Sequence, residues 1–369
     1  MHVALMMDHD RLRHEHVMLK RLSIGLLDMG VRLTRIIPDE IDSEAVLDSE
    51  RRLGLISRLA VPMRVLPWRR TRRTEELAAA MERSLPDVLF AVGHEMWPLA
   101  LDLANLIERP VALDVSSVEF AEMVPRRRAA RNVAGYVAPT APLAAMLRQR
   151  VDADLVSLVP IGVAISSRAV PARSGPSKTV AVIGACHDMQ AYTHILAGLK
   201  QISADVPELQ IVLELRGQFE HEIWRQMDRS GLHPIVSPIQ DASLHRSLIT
   251  QCDALVLPER SGQVSSLLLE CMAVGMKVAA REDPILDMLE DDVTAVLLPD
   301  NHDMWESRLR RALLDEQVGQ RISVAARAMG NQRHQSSRHV RRLFETFERT
   351  SPHLSGISSN IQPASRSQA

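Results

Sequence analysis

Residues 251–280 read QCDALVLPERSGQVSSLLLECMAVGMKVAA. Ala254 to Leu257 is a short apolar run, the pattern of a strand buried on both faces of a parallel sheet. Pro258 and then Ser261-Gly262 break it. From Ser265 to Ala273 the residues Leu268, Leu269, Met272 and Ala273 recur at helical spacing, and Gly275 supplies the stop that a helix C-terminus favours. Lys277 to Ala280 opens another strand. The order is strand, tight loop, helix, strand, with the loop at the carboxyl end of the first strand. In open α/β sheets ligands sit there, and the helix N-terminus offers its amides to an anion. Gly262, Gln263, Val264 and Ser265 are therefore the expected anion-binding residues. Glu270 is the one charge in an apolar helical stretch, either a site carboxylate or a residue that faces solvent or caps a neighbour.

The same grammar extends to the N-terminus. His2 to Met7 reads as a strand, Asp8-His9-Asp10 as a polar loop, Leu12 to Met29 as a helix closed by Gly30, and Val31 to Ile37 as a second strand. Residues 39–60 read as irregular or helical and Met63 to Leu66 as a short strand. Asp87 to Val92 is a buried strand that ends in Gly93-His94-Glu95. Residues 166–178, SSRAVPARSGPSK, have linker composition, and Thr179 to Gly184 restarts the strand-helix pattern. The expected organisation is a first Rossmann-like domain over 1–167, a linker over 168–178 and a second domain over 179–333. A basic amphipathic helix over 334–350 returns to the first domain, and a polar, disordered tail occupies 351–369. Both domains are doubly wound α/β units facing a cleft.

Composition agrees. A chain of 369 residues with 46% hydrophobic content suits two domains with full cores. A formal net charge of −2 gives no global field for nucleic acid or membrane. Cys186, Cys252 and Cys271 lie in or near apolar runs without metal spacing and read as free thiols of a reducing compartment. The first residues enter a strand directly, so a cytoplasmic protein is expected. Two arginine-rich stretches, Arg69 to Arg73 beside Trp68 and Arg126 to Arg131, are either solvated faces or a peripheral contact with the inner membrane face.

The stretch from Pro258 to Gly275 resembles the donor-binding segment of retaining glycosyltransferases of the GT-B fold, the group 1 or family 4 set. Pro258, Glu270, Met272, Ala273 and Gly275 match that pattern in register. The first glutamate of the family's pair falls on Gly262. Pro160-Ile161-Gly162-Val163 echoes the family's crossing between domains. The resemblance implies transfer from a nucleotide sugar, a UDP- or GDP-sugar, to a glycan or lipid-linked acceptor with retention. It needs no cofactor or metal, and no Asp-x-Asp or His cluster at ligand spacing is present in the donor half. It implies that Glu270 holds the ribose, that Gly184 and the amides of Gly262 to Ser265 approach the diphosphate, and that His94 lies near the transferred sugar. The sequence also departs from the family. The arginine expected after Gly184 is Ala185, the lysine five residues on is Gln190, and the first loop lacks glycine. His9, Arg11, Arg13, His14 and His16 are candidates to line the cleft in its place. Two functions follow: a glycosyltransferase whose phosphate contacts come from elsewhere, or a non-catalytic GT-B scaffold with a vestigial donor site. Other cations converging on the cleft favour the first, and a neutral cleft favours the second.

Overall fold

Apolar runs without a polar alternate are strands covered on both faces, and the structure uses them that way. It is a computed structural model, and it describes residues 1–41, 46, 48, 56–124, 132–165 and 175–351. The first sheet contains β1 (His2–Met7), β2 (Arg32–Pro38), β3 (Ser57–Val61), β4 (Val88–Val92), β5 (Val111–Asp114), β6 (Val133–Ala138) and β7 (Val156–Leu158). The second contains β8 (Thr179–Val182), β9 (Gln210–Glu214), β10 (Val236–Ile239), β11 (Ala254–Leu257), β12 (Lys277–Arg281) and β13 (Val296–Leu298). Strand orders are β3-β2-β1-β4-β5-β6-β7 and β10-β9-β8-β11-β12-β13. Every pairing is parallel. All six residues of β1 and all five of β4 are buried, as crossover helices on both faces require.

Two details of the first domain differ from the sequence reading. The first helix is His9–Asp28, beginning three residues before the Leu12 that the apolar spacing indicates. Asp8 is its N-cap and accepts a hydrogen bond from the Arg11 amide, which commits the polar run after it to helix. The strand expected at Met63 to Leu66 is instead Ser57–Val61. This strand lies at the sheet edge beside β2, with Ser57, Arg58 and Ala60 exposed. An edge strand with an open face shows no apolar run to read.

In the central stretch the helix is Ser266–Ala273, and the Ser265 hydroxyl caps it by accepting from the Leu267 amide. Gly262 and Gly275 both have positive φ, 58° and 80°, so the breaker and stop residues occupy backbone that a side chain resists. Just before this stretch the chain forms a 3-10 turn, Ala242–His245, followed by a short helix, Arg246–Ile249.

The domains touch through main chain as well as side chains. The Val118 amide donates to the Gly262 carbonyl at 2.9 Å and the Val264 amide to the Ser116 carbonyl at 3.2 Å. The last helix, Ser336–Thr350, lies on the first domain, with Phe347 edge-on to Phe90 of β4 at 5.3 Å between ring centres. Most of the expected linker, the arginines from Arg126 to Arg131 and nearly all of the tail fall outside the described residues. No helix among the described residues is long and apolar enough to cross a membrane.

Candidate functional site

In each sheet the strand order reverses between two neighbours, β1 and β4 in the first and β8 and β11 in the second. Ligands of open α/β sheets bind outside such points, at the carboxyl ends of the strands. Both points carry cavities. One, of about 510 Å³, lies beyond β8, β11 and β12 and is lined by Gly184, Glu259, Arg260, Gln263, Ser265 and Arg281 among others. A second, of about 830 Å³, lies beyond β1 and β4, lined by Asp8, His94, Glu95 and Glu119. Arg260, Ser261 and Gln263 line both. A third, of about 500 Å³, runs along the seam between the domains, with Glu15, Arg216, Arg246 and Ser265 in its walls.

Of the sequence candidates, Gly184, Gln263 and Ser265 line the 510 Å³ cavity and His94 and Gly262 the larger one. His94 opens a 3-10 turn directly after β4 and packs its ring on Phe120 at 4.7 Å. Gly184 has no room for a side chain, because a Cβ there would lie 2.6 Å from the Tyr192 hydroxyl and 2.8 Å from Glu259 Oε2.

The loop amides are differently placed from the expectation. The Gly262 amide donates to Asp283 Oδ2 at 2.9 Å, the Gln263 amide to Ser261 Oγ at 3.2 Å and the Val264 amide to the Ser116 carbonyl. These three amides are bonded within the protein. Glu270 lines none of the three cavities. It is 9% exposed, and its two carboxylate oxygens take Arg21 Nη1 at 2.7 Å and Arg246 Nη1 at 2.9 Å. Arg21 belongs to the first domain and Arg246 to the second, so Glu270 is the counter-ion of the seam.

The residues proposed for the first loop divide. Arg11 is buried behind the cleft, 3.5 Å from the Asp114 carboxylate. Arg13 crosses the cleft to Asp241 at 2.6 Å, and Arg216 approaches the same carboxylate at 3.6 Å. Burial pushes the Asp241 carboxyl up, but hydrogen bonds from Ser243 and Arg13 and the charge of His14 hold it below the ordinary range. His14 lines the seam cavity. His9 lies in a separate cavity with Asp39 and Arg64, and the His16 ring meets the Arg13 carbonyl at 3.2 Å. Of the other cationic run, Trp68 is 73% exposed while Arg72 pairs with Glu76.

Cations thus converge on the cleft, and each is already matched. Arg281 holds Asp188 at 2.5 Å and Arg260 holds Asp300 at 2.9 Å. Sequence reasoning missed Glu15, Arg21, Asp241 and Arg246 as cleft residues. Glu15 sits in a run of charged and His residues, and nothing in its spacing separates it from a solvated face.

Gly93 shows how tightly the first switch point is built. It has φ of +91°, and a Cβ there would lie 1.9 to 2.4 Å from the atoms of the Asp8 carboxyl group. Burial pushes Asp8 up to about 6, against the pull of the Arg11 amide. Gly93→Ala is expected to displace this cap and strain the backbone, costing about 2 kcal/mol, read as a lower urea midpoint.

No protein-family model matches the sequence, and no curated protein matches it. Solved structures do. The Anabaena protein HepE, in complex with UDP and glucose, superposes with a TM-score of 0.69 at 13% identity over 94% of this chain and 99% of that one. Sucrose-phosphate synthase from Thermosynechococcus elongatus gives a TM-score of 0.69 at 13% identity, covering 94% and 98%. A glycosyltransferase from Rickettsia africae gives 0.68 at 10%, covering 95% and 98%. The chain has the GT-B fold. At these identities the likeness is one of fold.

Proposed function

We propose that the chain is a glycosyltransferase-type enzyme that binds a nucleotide-activated sugar in the 510 Å³ cavity and passes the sugar to an acceptor in the 830 Å³ cavity. One observation carries this reading. The two cavities lie at the switch points of facing sheets and share Arg260, Ser261 and Gln263, so donor and acceptor would meet at one loop. The volumes fall within the roughly 300–1,000 Å³ usual for small-molecule sites. Structural neighbours crystallised with UDP and glucose, or with UDP-glucose, support the choice of donor.

Gly184, Gln263 and Ser265 contact the nucleotide in this reading, and His94 lies on the acceptor side. Transfer leaves charge on the diphosphate, which must meet cations or amide donors. Arg216 and Arg246 are the cations on the seam cavity. Glu270 reaches a ribose only if Arg21 and Arg246 release it. The acceptor cavity carries Asp8, Asp10, Glu95, Glu119, Glu122 and Asp283 against Arg260 among the described residues. Carboxylates accept hydrogen bonds from hydroxyls and repel phosphates, which favours a glycan acceptor over an anionic one.

The second reading, a non-catalytic scaffold, is favoured by the pairing of cleft cations with the chain's own carboxylates. Calorimetric titration of the protein with UDP, GDP and ADP separates the two. Micromolar binding of one nucleotide is the expected result. No binding of any leaves the scaffold.

A further inference from the structure

At the nucleotide cavity the amides of His187, Asp188 and Ser266 are held by carboxylates of the protein itself. Glu15 reaches from the first domain to the N-terminus of the Ser266–Ala273 helix, where the Ser266 amide donates to its Oε1 at 3.1 Å. Glu15 is 1% exposed. Its other oxygen lies 3.8 Å from Arg246 Nη2 and has no hydrogen-bond partner. The backbone at Glu15 leaves helical geometry, with φ −121° and ψ 15°, so the helix kinks at this residue. Across the cavity Glu259 Oε1 accepts from the His187 and Asp188 amides at 2.5 and 2.6 Å, in the turn after β8. Its Oε2 is buried without a partner. The Ser266 hydroxyl, on a fully buried residue, is also unpartnered.

Carboxylate and phosphate oxygens ask for the same surroundings: amide donors, the positive end of a helix, a guanidinium. Glu15 has all three, with the Ser266 amide, the helix N-terminus and Arg246. Glu15 lines the seam cavity, which shares Gly184, Ala185, His187, Gln263 and Ser265 with the nucleotide cavity. A diphosphate entering this region meets Glu15 as a like charge and as the present holder of its donors.

We propose that Glu15 is a built-in competitor for the donor's phosphate, and that the two exchange at the Ser266 amide and Arg246. The proposal rests on the nucleotide-sugar reading above. Because Glu15 belongs to the first domain and the Ser266 helix to the second, the exchange also releases one of the ties that close the cleft. Affinity therefore reflects the difference between two anions.

The test is calorimetric titration of wild type and Glu15→Gln with UDP, GDP and ADP at low ionic strength. Glutamine keeps an acceptor for the Ser266 amide and removes the charge, so the variant retains the fold, which its thermal midpoint checks. The expected result is a dissociation constant about tenfold lower in Glu15→Gln, because a like charge has left the site. Equal or weaker binding by a folded Glu15→Gln overturns the proposal and leaves the nucleotide-sugar reading standing. If neither protein binds any of the three nucleotides, that reading falls and the competitor role falls with it.

Discussion

Glu270→Ala is expected to lose about 3 kcal/mol of stability, the low end of the usual cost of removing one partner from a buried ion pair. Its carboxylate meets both Arg21, 2.7 Å away, and Arg246, 2.9 Å away. Arg246 has a side chain only 8% exposed, so without Glu270 its charge remains buried beside the His14 carbonyl and the more distant Glu15. Arg21 is about a third exposed and recovers hydration. Most of the cost therefore falls on Arg246. Urea denaturation checks this, with the midpoint falling and the double variant Arg246→Leu/Glu270→Leu recovering much of the loss. Glu270→Gln, which keeps the shape and removes the charge, should fall between. A midpoint unchanged in Glu270→Ala would show that the seam pairs contribute nothing to stability.

Lowering the pH from 7 to 4 is expected to cost wild type about 3 kcal/mol relative to His339→Gln. His339 lies on the last helix, 8% exposed. Burial pushes its imidazole down to about 4, and the nearby His334 and Arg11 charges add to the shift. A histidine with a depressed folded-state value binds its proton more readily when unfolded. Its contribution is therefore complete above pH 6.5 and is lost as the pH falls towards 4. About two and a half pH units at roughly 1.36 kcal/mol each give the magnitude. Asp8 works in the opposite sense. Its value is raised to about 6, so its contribution is full below pH 3.8 and is lost as the pH rises through 6. Both proteins share Asp8, so comparing their urea midpoints across the pH range isolates His339. Parallel profiles would remove it as the source.

The fold was legible because its evidence is local. Ala254 to Leu257 and Val88 to Val92 are continuous apolar runs, and sheets covered on both faces need such strands. Ser265 and Gly275 mark the helix between them with a cap at one end and a left-handed stop at the other. Ser57–Val61 escaped because an exposed edge strand needs no apolar pattern. The site was harder to read because its defining contacts join residues more than two hundred positions apart. Glu15 meets Ser266, and Arg13 meets Asp241. Nothing in either segment says that a carboxylate waits opposite, and a charged residue on a helix looks the same whether it meets water or another domain. Gly262, Gln263 and Val264 were read as open amides for the same reason. Ser261 is a local partner for Gln263, but Asp283 and the Ser116 carbonyl come from a later loop and the facing domain and leave no mark in local spacing.

The return of the last helix has a consequence for how the chain is made. Phe347 closes on Phe90, Val340 covers Gly25, and the Ser351 hydroxyl reaches the Asp87 carbonyl at 3.5 Å. The first domain's core is thus completed by residues that are translated after the whole of the second domain. During synthesis that domain waits, with an apolar face uncovered, for the whole of the second domain to be translated. Domains that emerge first usually fold first, yet here the earlier of the two domains is finished after the later one. A chain truncated before Ser336 would present this face to solvent, and its yield would depend on chaperones long before any question of substrate arose.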